Sequence, residues 1–496
     1  MTPWLTELTR LVDALAGPVF LALQWVVLAY VVLLQSAMVG LCGFAYAALR
    51  RYRDVRRFDL LPLAHGEFNQ AISLLVPAYN ESAGIVASVR SMLQIDYPRF
   101  EIVVINDGSK DSTLQELIQN FDLHVFPEAN DMQIPCAEIR AIYRSRRHPH
   151  LRVVDKANGG KSDALNAGIN CARHGLVCVV DADSILRRDA LTRVVKPFLD
   201  DSRVIAAGAN IAIANGCQIS GGQLERIDLG RGFLARVQVL EYIRAFLIGR
   251  LGWTPTNSVL IISGAFGLFG RRVVIESGGY RTQTIGEDME LIVRLHERYL
   301  RDGHAYRVVS VPEPLCWTEA PESLTVLRSQ RTRWQRGLAE SLMLHRGLFL
   351  HPRSGQVGWI ALPFFLAFEL LGPVVETFGY LALLVGGLLG WIQWEGFVAM
   401  LLLTLSLGFM ISALSLLLEA LVSGLYPKPR QIMVLAGIAL LENLGYRQLV
   451  SLWRVQGLWR WMRGRQQHWG TMTRTAALGG ASASPPAPTP PPTAPS

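Results

Sequence analysis

Hydrophobic and polar positions divide the chain into regions with different solvents. A run without a single charged residue extends from Gly17 to Leu49, which exceeds the roughly 20 residues that an α-helix needs to cross the hydrocarbon of a bilayer. Short apolar runs separated by polar stretches follow from about Gln70, and long apolar runs return after Leu338. The pattern predicts four regions before the C-terminal tail: a short N-terminal segment (1–16), a transmembrane helix (17–49), a soluble domain (50–340) and a second membrane region (341–470).

The soluble region contains four apolar runs with the composition of buried β-strands. They read AISLLVPAYN, FEIVVINDGS, LRVVDKANGG and GLVCVVDADS in chain order. Near-continuous apolar strands that alternate with helical stretches are typical of a parallel sheet with helices on both faces. We therefore predict an α/β fold with a doubly wound, mostly parallel sheet. Ligands of such sheets bind beyond the carboxyl ends of the strands, where each of these runs ends in polar residues.

The second membrane region contains three apolar stretches, Val357–Ile392, Phe397–Val422 and Ile432–Trp453. The first is longer than one span and contains Gly372-Pro373, so we expect an interfacial helix followed by a spanning helix. The second has the length of a single span. The third carries Glu442, Asn443 and Arg447, and we expect it to lie at the interface or to line a polar pore, because isolated charges are costly inside a bilayer.

Basic residues indicate the orientation in the membrane. The formal net charge is +8, and a cluster of arginines directly follows the first apolar run: Arg50, Arg51, Arg53, Arg56 and Arg57. Because basic residues favour the cytoplasmic side, we expect a multi-pass protein of the cell inner membrane whose catalytic domain faces the cytoplasm, with membrane lipids as partners. The basic turn Tyr426–Arg430 should lie on the same side. Nucleic acid is not an expected partner, since the strands do not interleave basic and aromatic residues.

The last residues have a composition that does not support folding. Residues 475–496 are mostly Ala, Pro, Ser and Thr, with no charged residue. Such a segment has little apolar surface to offset the entropy that ordering the chain would cost. We therefore expect a disordered tail at 471–496.

A DxD motif, Asp181-Ala182-Asp183, follows the fourth apolar run. Two carboxylates with this spacing can hold a hard divalent cation against a diphosphate, because Mg²⁺ takes one or two protein carboxylates together with phosphate oxygens. Aspartates at strand ends also serve as turn or cap residues, but four polar strand ends in succession favour a ligand site. We expect Mg²⁺ or Mn²⁺ as the cofactor.

Three further strings combine charge with a defined position. Lys161 lies in the loop NGGKS, before a helix predicted from Ala164, and it can neutralise phosphate there. A Walker ATPase motif is disfavoured because Asp155 replaces its first glycine. Glu287 and Asp288 open an amphipathic helix, where acidic residues also serve as partners of the helix dipole. The string QRTRW suits a phosphate clamp beside a sugar platform, or a membrane interface.

Six strings occur in order over residues 70–340: PAYNE, NDGS, NGGK, DAD, GED and QRTRW. Together they resemble the motifs of the family 2 glycosyltransferases, and more narrowly the membrane-embedded processive branch that includes cellulose, hyaluronan and poly-N-acetylglucosamine synthases. The resemblance implies a nucleotide-sugar-binding domain of glycosyltransferase type A. It also implies metal-dependent, inverting transfer from a UDP-sugar donor to a saccharide.

The resemblance assigns roles to individual positions. The nucleotide-sugar donor would contact the following residues: Ala78, Tyr79, Glu81, Asp107, Lys161 and Asp181. Asp183 matches the metal ligand, and Asp288 matches the catalytic base. The remaining matched residues would contact the acceptor or clamp the diphosphate: Glu287, Gln330, Arg333 and Trp334.

Two features depart from the family's pattern. The family's TED motif reads Gly286-Glu287-Asp288, which keeps both acids and loses the threonine, and the few clear spans leave open whether one chain forms a complete pore. The leading hypothesis is extension of a β-linked polysaccharide coupled to export, with export or accessory subunits as partners. The alternative is transfer of a single sugar to a lipid-linked acceptor, a polyprenyl phosphate or a glycolipid. A catalytically inactive scaffold is disfavoured because every acidic motif position is present.

Overall fold

A computed structural model of the chain describes residues 3–58, 70–128, 132–220, 222–391 and 394–464. The tail expected at 471–496 lies outside these residues. The helices are α1 (Pro3–Phe58), α2 (Ile85–Met92), α3 (Thr113–Phe121), α4 (Lys161–Cys171), α5 (Ala190–Asp200), α6 (Phe233–Ile243), α7 (Arg271–Glu276), α8 (Glu287–Asp302), α9 (Leu324–Leu344), α10 (Leu362–Phe364), α11 (Gly372–Leu388), α12 (Trp394–Val422), α13 (Pro429–Leu441) and α14 (Arg447–Met462).

The strands are β1 (Ile72–Ala78), β2 (Phe100–Asn106), β3 (Leu123–Val125), β4 (Ile139–Ser145), β5 (Leu151–Lys156), β6 (Leu176–Val180), β7 (Ile185–Leu186), β8 (Val204–Ile213), β9 (Gln218–Ser220), β10 (Gln223–Arg226), β11 (Phe266–Gly270) and β12 (Arg307–Thr318). Ten of them form one sheet in the order β3-β4-β5-β2-β1-β6-β11-β8-β12-β7, and β9 pairs with β10. The four predicted strands are the parallel neighbours β5, β2, β1 and β6. The predicted α/β fold with a mostly parallel central sheet is confirmed.

Burial on both faces explains why these runs form central strands. In β1 and β2, Leu75 and Val103 pack into one apolar layer, whereas Leu74 and Val104 pack into the other. All four side chains are fully buried. Because helices cover both faces of the sheet, the strands are apolar at successive positions and not only at every second position.

The order of the strands reverses between β1 and β6. The chain runs outward from β1 to β2 and β5 on one side, and β6 pairs with the other side of β1. Doubly wound sheets bind their ligands in the crevice at such a switch point, beyond the carboxyl ends of the strands. Since β11 is antiparallel to β6, its amino-terminal end lies at this same edge.

Among the described residues, three helical segments are long and apolar enough to cross a membrane: Ala22–Arg53, Val357–Leu388 and Leu401–Val422. The first belongs to α1, which covers the predicted span 17–49 and extends beyond it at both ends. In the second, α11 begins at Gly372, directly after a π-helical turn at Phe365–Leu370. The helical hydrogen bonding therefore changes at the predicted Gly372-Pro373 position.

The third predicted stretch consists of two helices, α13 and α14, joined by a π-helical turn at Glu442–Tyr446. Gly445 in this turn has a φ of 97°, a left-handed conformation that favours glycine. The acidic residue of the turn is paired within the protein, because Glu442 Oε1 accepts hydrogen bonds from Arg244 Nη1 at 2.7 Å and from Ser412 Oγ at 2.9 Å. These contacts join the turn to α12 and to the segment that follows α6.

Candidate active site

The turn after β1 carries three of the predicted donor residues. Ala78 ends the strand and is buried, whereas the side chain of Tyr79 is 42% exposed. The amide of Glu81 donates a hydrogen bond to Thr113 Oγ1 at 2.8 Å, which ties this turn to the start of α3. The turn therefore has a fixed backbone and presents the ring of Tyr79 at the open edge of the sheet.

Asp107 follows β2 and organises the glycine-rich loop. Its carboxylate accepts hydrogen bonds from Lys156 Nζ at 2.7 Å and from the amides of Gly159 and Gly160 at 3.0 and 2.8 Å. The residue is only 3% exposed. Gly160 has a φ of 89°, which favours glycine at this position. The loop is thus held in one conformation, while a contact of Asp107 with the nucleotide stays a prediction.

Lys161 lies at the centre of the site. It is the first residue of α4, so this helix begins earlier than the predicted Ala164. Its ammonium forms ion pairs with Asp181 Oδ1 at 2.6 Å and with Glu287 Oε1 at 3.4 Å. Burial lowers the pKa of Lys161, but the surrounding carboxylates raise it by more, so that it lies above the ordinary value of lysine. Lys161 is therefore a fixed cation at the switch point.

Glu287 and Asp288 occupy the first turn of α8. Glu287 is 7% exposed, and burial raises its pKa above the ordinary value although Lys161 lowers it. Asp288 Oδ2 accepts a hydrogen bond from the amide of Gly264 at 3.3 Å. Gly264 lies so close to the cluster that a Cβ atom there would be 2.9 Å from Lys161 Nζ. The turn before β11 thus holds Asp288 next to the lysine.

Helix α9 brings the QRTRW string to the same edge. Burial lowers the pKa of Arg333, and Glu287 and Asp181, which also pair with the lysine, oppose this effect. Gln330 is 8% exposed, and Trp334 is 45% exposed. The site therefore combines two cations, a group of carboxylates and one open aromatic surface.

Arg331 lies in the same string and is held by residues of two other elements. Its Nη2 donates to Glu241 Oε2 of α6 at 2.5 Å, and Tyr446 Oη donates to the same oxygen at 3.2 Å. The guanidinium also stacks over the ring of Trp334, 4.6 Å from its centroid. Glu241 and Tyr446 were not predicted from the sequence, because no local pattern links α6 and the turn before α14 to α9.

Two close backbone contacts fix α9, one with Gly286 at the start of α8 and one with Gly457 in α14. A Cβ atom at Gly286 would lie 2.9 Å from the Cα of Gly337, and a Cβ atom at Gly457 would lie 2.7 Å from the carbonyl oxygen of Thr332. Cβ atoms in proteins essentially never come this close to other atoms. The first contact gives a physical reason for the glycine at the position where the family's TED motif has threonine.

Asp183 lies in the turn after β6, two residues beyond Asp181. In the part of the chain that the structure describes, no group of three or more His, Cys, Asp or Glu side chains forms a metal site by itself. A cation of the Mg²⁺ type is commonly held by one or two carboxylates together with phosphate oxygens of the substrate. The hard oxygen ligands of this turn fit that mode of binding.

The fold and the site define a class of enzyme. A doubly wound sheet with a DxD turn after β6 and a lysine–carboxylate cluster at its switch point is the architecture of a nucleotide-sugar transferase of type A. Residues 69–337 match the model of the family described as "Glycosyltransferase like family 2". The chain belongs to this family and is a glycosyltransferase, as the six ordered strings predicted.

The names of curated relatives are more specific than the description of the family. The chain is 30% identical over 329 residues to the poly-beta-1,6-N-acetyl-D-glucosamine synthase of Staphylococcus aureus strain COL, which covers 66% of this chain and 65% of that protein. It is 29% identical over 329 residues to the synthase of the same name from Staphylococcus epidermidis, with the same coverage. The match thus spans just under two thirds of the length of these relatives.

Solved structures are more distant. The mannosyltransferase PcManGT from Pyrobaculum calidifontis, in complex with GDP-Man and Mn²⁺, is 17% identical and has a TM-score of 0.45, covering 87% of this chain and 100% of that chain. TarS 1-349 from S. aureus, in complex with UDP-GlcNAc, is 15% identical and has a TM-score of 0.37, covering 78% of this chain and 92% of that chain.

Proposed function

We propose that this protein transfers N-acetylglucosamine, with inversion, from UDP-N-acetylglucosamine to the end of a growing β-linked polysaccharide. The names of the staphylococcal relatives support this sugar and this product. The observation that carries the proposal is the Asp288 carboxylate beside the Lys161–Asp181 ion pair at the switch point of the sheet. A proton acceptor and a phosphate-binding cation are thereby within reach of one substrate.

Asp288 is the general base in this proposal. The acceptor hydroxyl gives its proton to the carboxylate while its oxygen attacks the anomeric carbon, and the bond from that carbon to the β-phosphate oxygen breaks as UDP leaves. Attack on the face opposite the leaving group inverts the configuration. The amide of Gly264 holds Asp288 Oδ2 at 3.3 Å, which fixes the orientation that a positioned proton acceptor needs.

Lys161 and Arg333 stabilise the charge that develops on the leaving diphosphate. Both cations are held among carboxylates before any substrate binds, and preorganised charge in a partly dry site is a large contribution to catalysis. Asp183, with Asp181, would hold Mg²⁺ or Mn²⁺. Such a cation, when bound, supplies Lewis-acid neutralisation of the diphosphate.

The donor and the acceptor contact different elements of the protein. The nucleoside of the donor lies against the turns after β1 and β2, where the residues concerned are Ala78, Tyr79, Glu81 and Asp107. The acceptor sugar lies against α9, where Trp334 offers a half-exposed ring and Gln330 Oε1 is buried with no hydrogen-bond partner among the described residues. A sugar stacked on the ring would give that amide oxygen a hydroxyl to accept from.

The membrane helices set the location of the reaction. We assign the protein to the inner membrane as a multi-pass protein, with the catalytic domain and the basic turn Tyr426–Arg430 in the cytoplasm. The three long apolar segments support this assignment. Membrane lipids surround these segments, and the growing saccharide leaves alongside α11 to α14, with accessory subunits completing the export path.

A single assay tests the donor and the product together. Purified full-length protein in nanodiscs is given a panel of UDP-sugars and GDP-sugars, and release of free nucleotide is measured. We expect the highest release from UDP-N-acetylglucosamine and a ladder of products on a gel. Release from another donor alone would refute the assignment of the sugar, and a single sugar on a lipid acceptor would replace the polysaccharide with the alternative product.

A further inference from the structure

Arg250 is a partly buried cation near the site that has no carboxylate partner. It follows the π-helical turn Arg244–Ile248, and its Nε is buried without a hydrogen-bond partner. Within the described ranges its guanidinium forms neither an ion pair nor a hydrogen bond, and it stacks over the ring of Phe246 at 3.9 Å from the centroid. Buried polar groups are nearly always satisfied in native proteins, so this guanidinium requires an explanation.

Three arginines that connect distant parts of the chain show how unusual this is. They pair with glutamates: Arg244 with Glu442 at 2.7 Å, Arg331 with Glu241 at 2.5 Å and Arg454 with Glu369 at 3.1 Å. Burial of a charge without a partner costs free energy, and these three arginines avoid that cost by forming ion pairs. Arg250 is the exception among these four, which indicates that its partner is a ligand.

The backbone around Arg250 is held firmly in place. A Cβ atom at Gly252 would lie 2.7 Å from the carbonyl oxygen of Leu41 in α1, so the segment is pressed against that helix. The ring of Trp253 packs edge-on against Phe364, with 5.4 Å between the centroids. The segment therefore keeps Arg250 at a defined position between α1 and the catalytic domain.

Arg250 interacts electrostatically with Asp288. Burial lowers its pKa to about 10, and the groups that oppose this effect are Asp288, Tyr242 and Glu369. At neutral pH the guanidinium therefore keeps its charge. Asp288 and Arg250 influence each other without forming an ion pair, which leaves both of them available to the same ligand.

We propose that Arg250 binds the acceptor saccharide, an inference that rests on the proposed function. Its guanidinium donates hydrogen bonds to a hydroxyl or amide oxygen of the acceptor, next to the hydroxyl whose proton goes to Asp288. The acceptor fits better than the diphosphate because the cations on the diphosphate side, Lys161 and Arg333, both face Asp181 and Glu287. The carboxylates that act on the charge of Arg250 are instead Asp288 and Glu369.

The variant Arg250→Met tests this proposal, because methionine keeps the aliphatic part of the side chain and removes the charged guanidinium. We expect the affinity for a β-1,6-linked N-acetylglucosamine tetrasaccharide, measured with UDP present, to fall about 10-fold to 100-fold, the worth of a charged hydrogen bond. UDP affinity should not change. Because an unpaired charge is removed, the thermal midpoint should stay the same or rise. Arg244→Met should instead lower the midpoint, because it leaves Glu442 unpaired.

Arg272→Met is the neutral control, because this arginine is exposed and pairs only with Glu276 on the surface. Three results would overturn the proposal: unchanged saccharide affinity in Arg250→Met, a loss of UDP affinity, or a fall in midpoint as large as that of Arg244→Met. Addition of methylguanidinium to Arg250→Ala should restore part of the saccharide affinity. Saccharide binding needs no donor turnover, so failure of wild type on UDP-N-acetylglucosamine would refute the donor assignment separately.

Discussion

The edge of the sheet is built differently from the membrane-proximal layer, the region in which Arg244, Arg331 and Arg454 pair with glutamates. At the sheet edge, Asp181 follows a strand, Lys161 and Glu287 each open a helix, and the topology brings these residues together. In the membrane-proximal layer the contacts are ion pairs between distant parts of the chain: Arg244–Glu442 spans 198 residues, Arg331–Glu241 spans 90 and Arg454–Glu369 spans 85. Helix α9 belongs to both regions.

This difference separates chemistry from positioning. The sheet edge holds the proposed base Asp288, the DxD turn and Lys161. The membrane-proximal layer holds α9 through Glu241, Tyr446 and the close contact at Gly457. Substitutions at the edge should therefore change turnover at nearly constant stability, whereas substitutions of the ion-paired residues in the layer should change stability first.

The largest effect is expected for Asp288→Asn at the sheet edge. Removal of a positioned proton acceptor should lower turnover by on the order of 100-fold to 10,000-fold. The affinity for UDP should not change, because the proposed donor contacts are made by other residues. Both quantities are measured on one preparation, by nucleotide release and by UDP titration.

Asp302→Asn is the matched control for this substitution, because Asp302 ends the same helix. If Asp288 served only as a partner of the helix dipole, its loss would cost about 0.3 to 1 kcal/mol of stability and leave turnover almost unchanged. Unchanged turnover would therefore reject the base. A loss of UDP binding would move Asp288 into the donor site.

Asp183→Ala should have the next largest effect. Loss of one preorganised electrostatic contribution at the diphosphate typically lowers turnover by about 100-fold to 1,000-fold. The thermal midpoint should not change, because one carboxylate at a strand end adds little to packing. Excess chelator should lower wild-type turnover and have no further effect on the variant; undiminished wild-type activity in chelator would exclude a required cation.

The sheet edge was largely predictable from sequence, because its logic is local. Buried strands are recognisable as apolar runs, and the residues directly after β1, β2 and β6 must meet if these strands are parallel neighbours. Gly264 was missed for a topological reason. It precedes β11, and only the antiparallel direction of that strand brings the residue before it to the ligand edge.

The membrane-proximal layer was not predictable in the same way. The sequence marks Glu442 and Arg447 as unusual in an apolar stretch, but no spacing rule links Glu442 to Arg244. Likewise, the composition around Arg250 does not show that its neighbours pair while it does not. Such contacts depend on how α6, α9 and α14 cross, which is a property of tertiary packing.

Glu442→Leu tests the membrane-proximal layer. It leaves Arg244 without its carboxylate, and breaking a buried pair by removing one partner costs about 3 to 5 kcal/mol. Since the Arg244 side chain is 20% exposed, we expect the lower end of this range, seen as a lower thermal midpoint in nanodiscs. Arg244→Leu combined with Glu442→Leu should recover most of the loss. A double variant as unstable as the single one would show that the pair itself does not control stability.

The smallest effect, and the one that joins both regions, is expected for Gly286→Thr, which restores the residue of the family's TED motif. The added Cβ would lie 2.9 Å from the Cα of Gly337, so the start of α8 or α9 has to shift. Overpacking of this kind typically costs about 1 to 3 kcal/mol. Because Asp288 and α9 move relative to each other, turnover should fall by about 10-fold.

Gly347→Ala serves as the control, since nothing lies within 4 Å of a Cβ atom there. Adding Gly337→Ala should worsen the loss. A Gly286→Thr protein with full turnover and an unchanged midpoint would mean that this contact relaxes freely, and that α9 is positioned by its ion pairs alone.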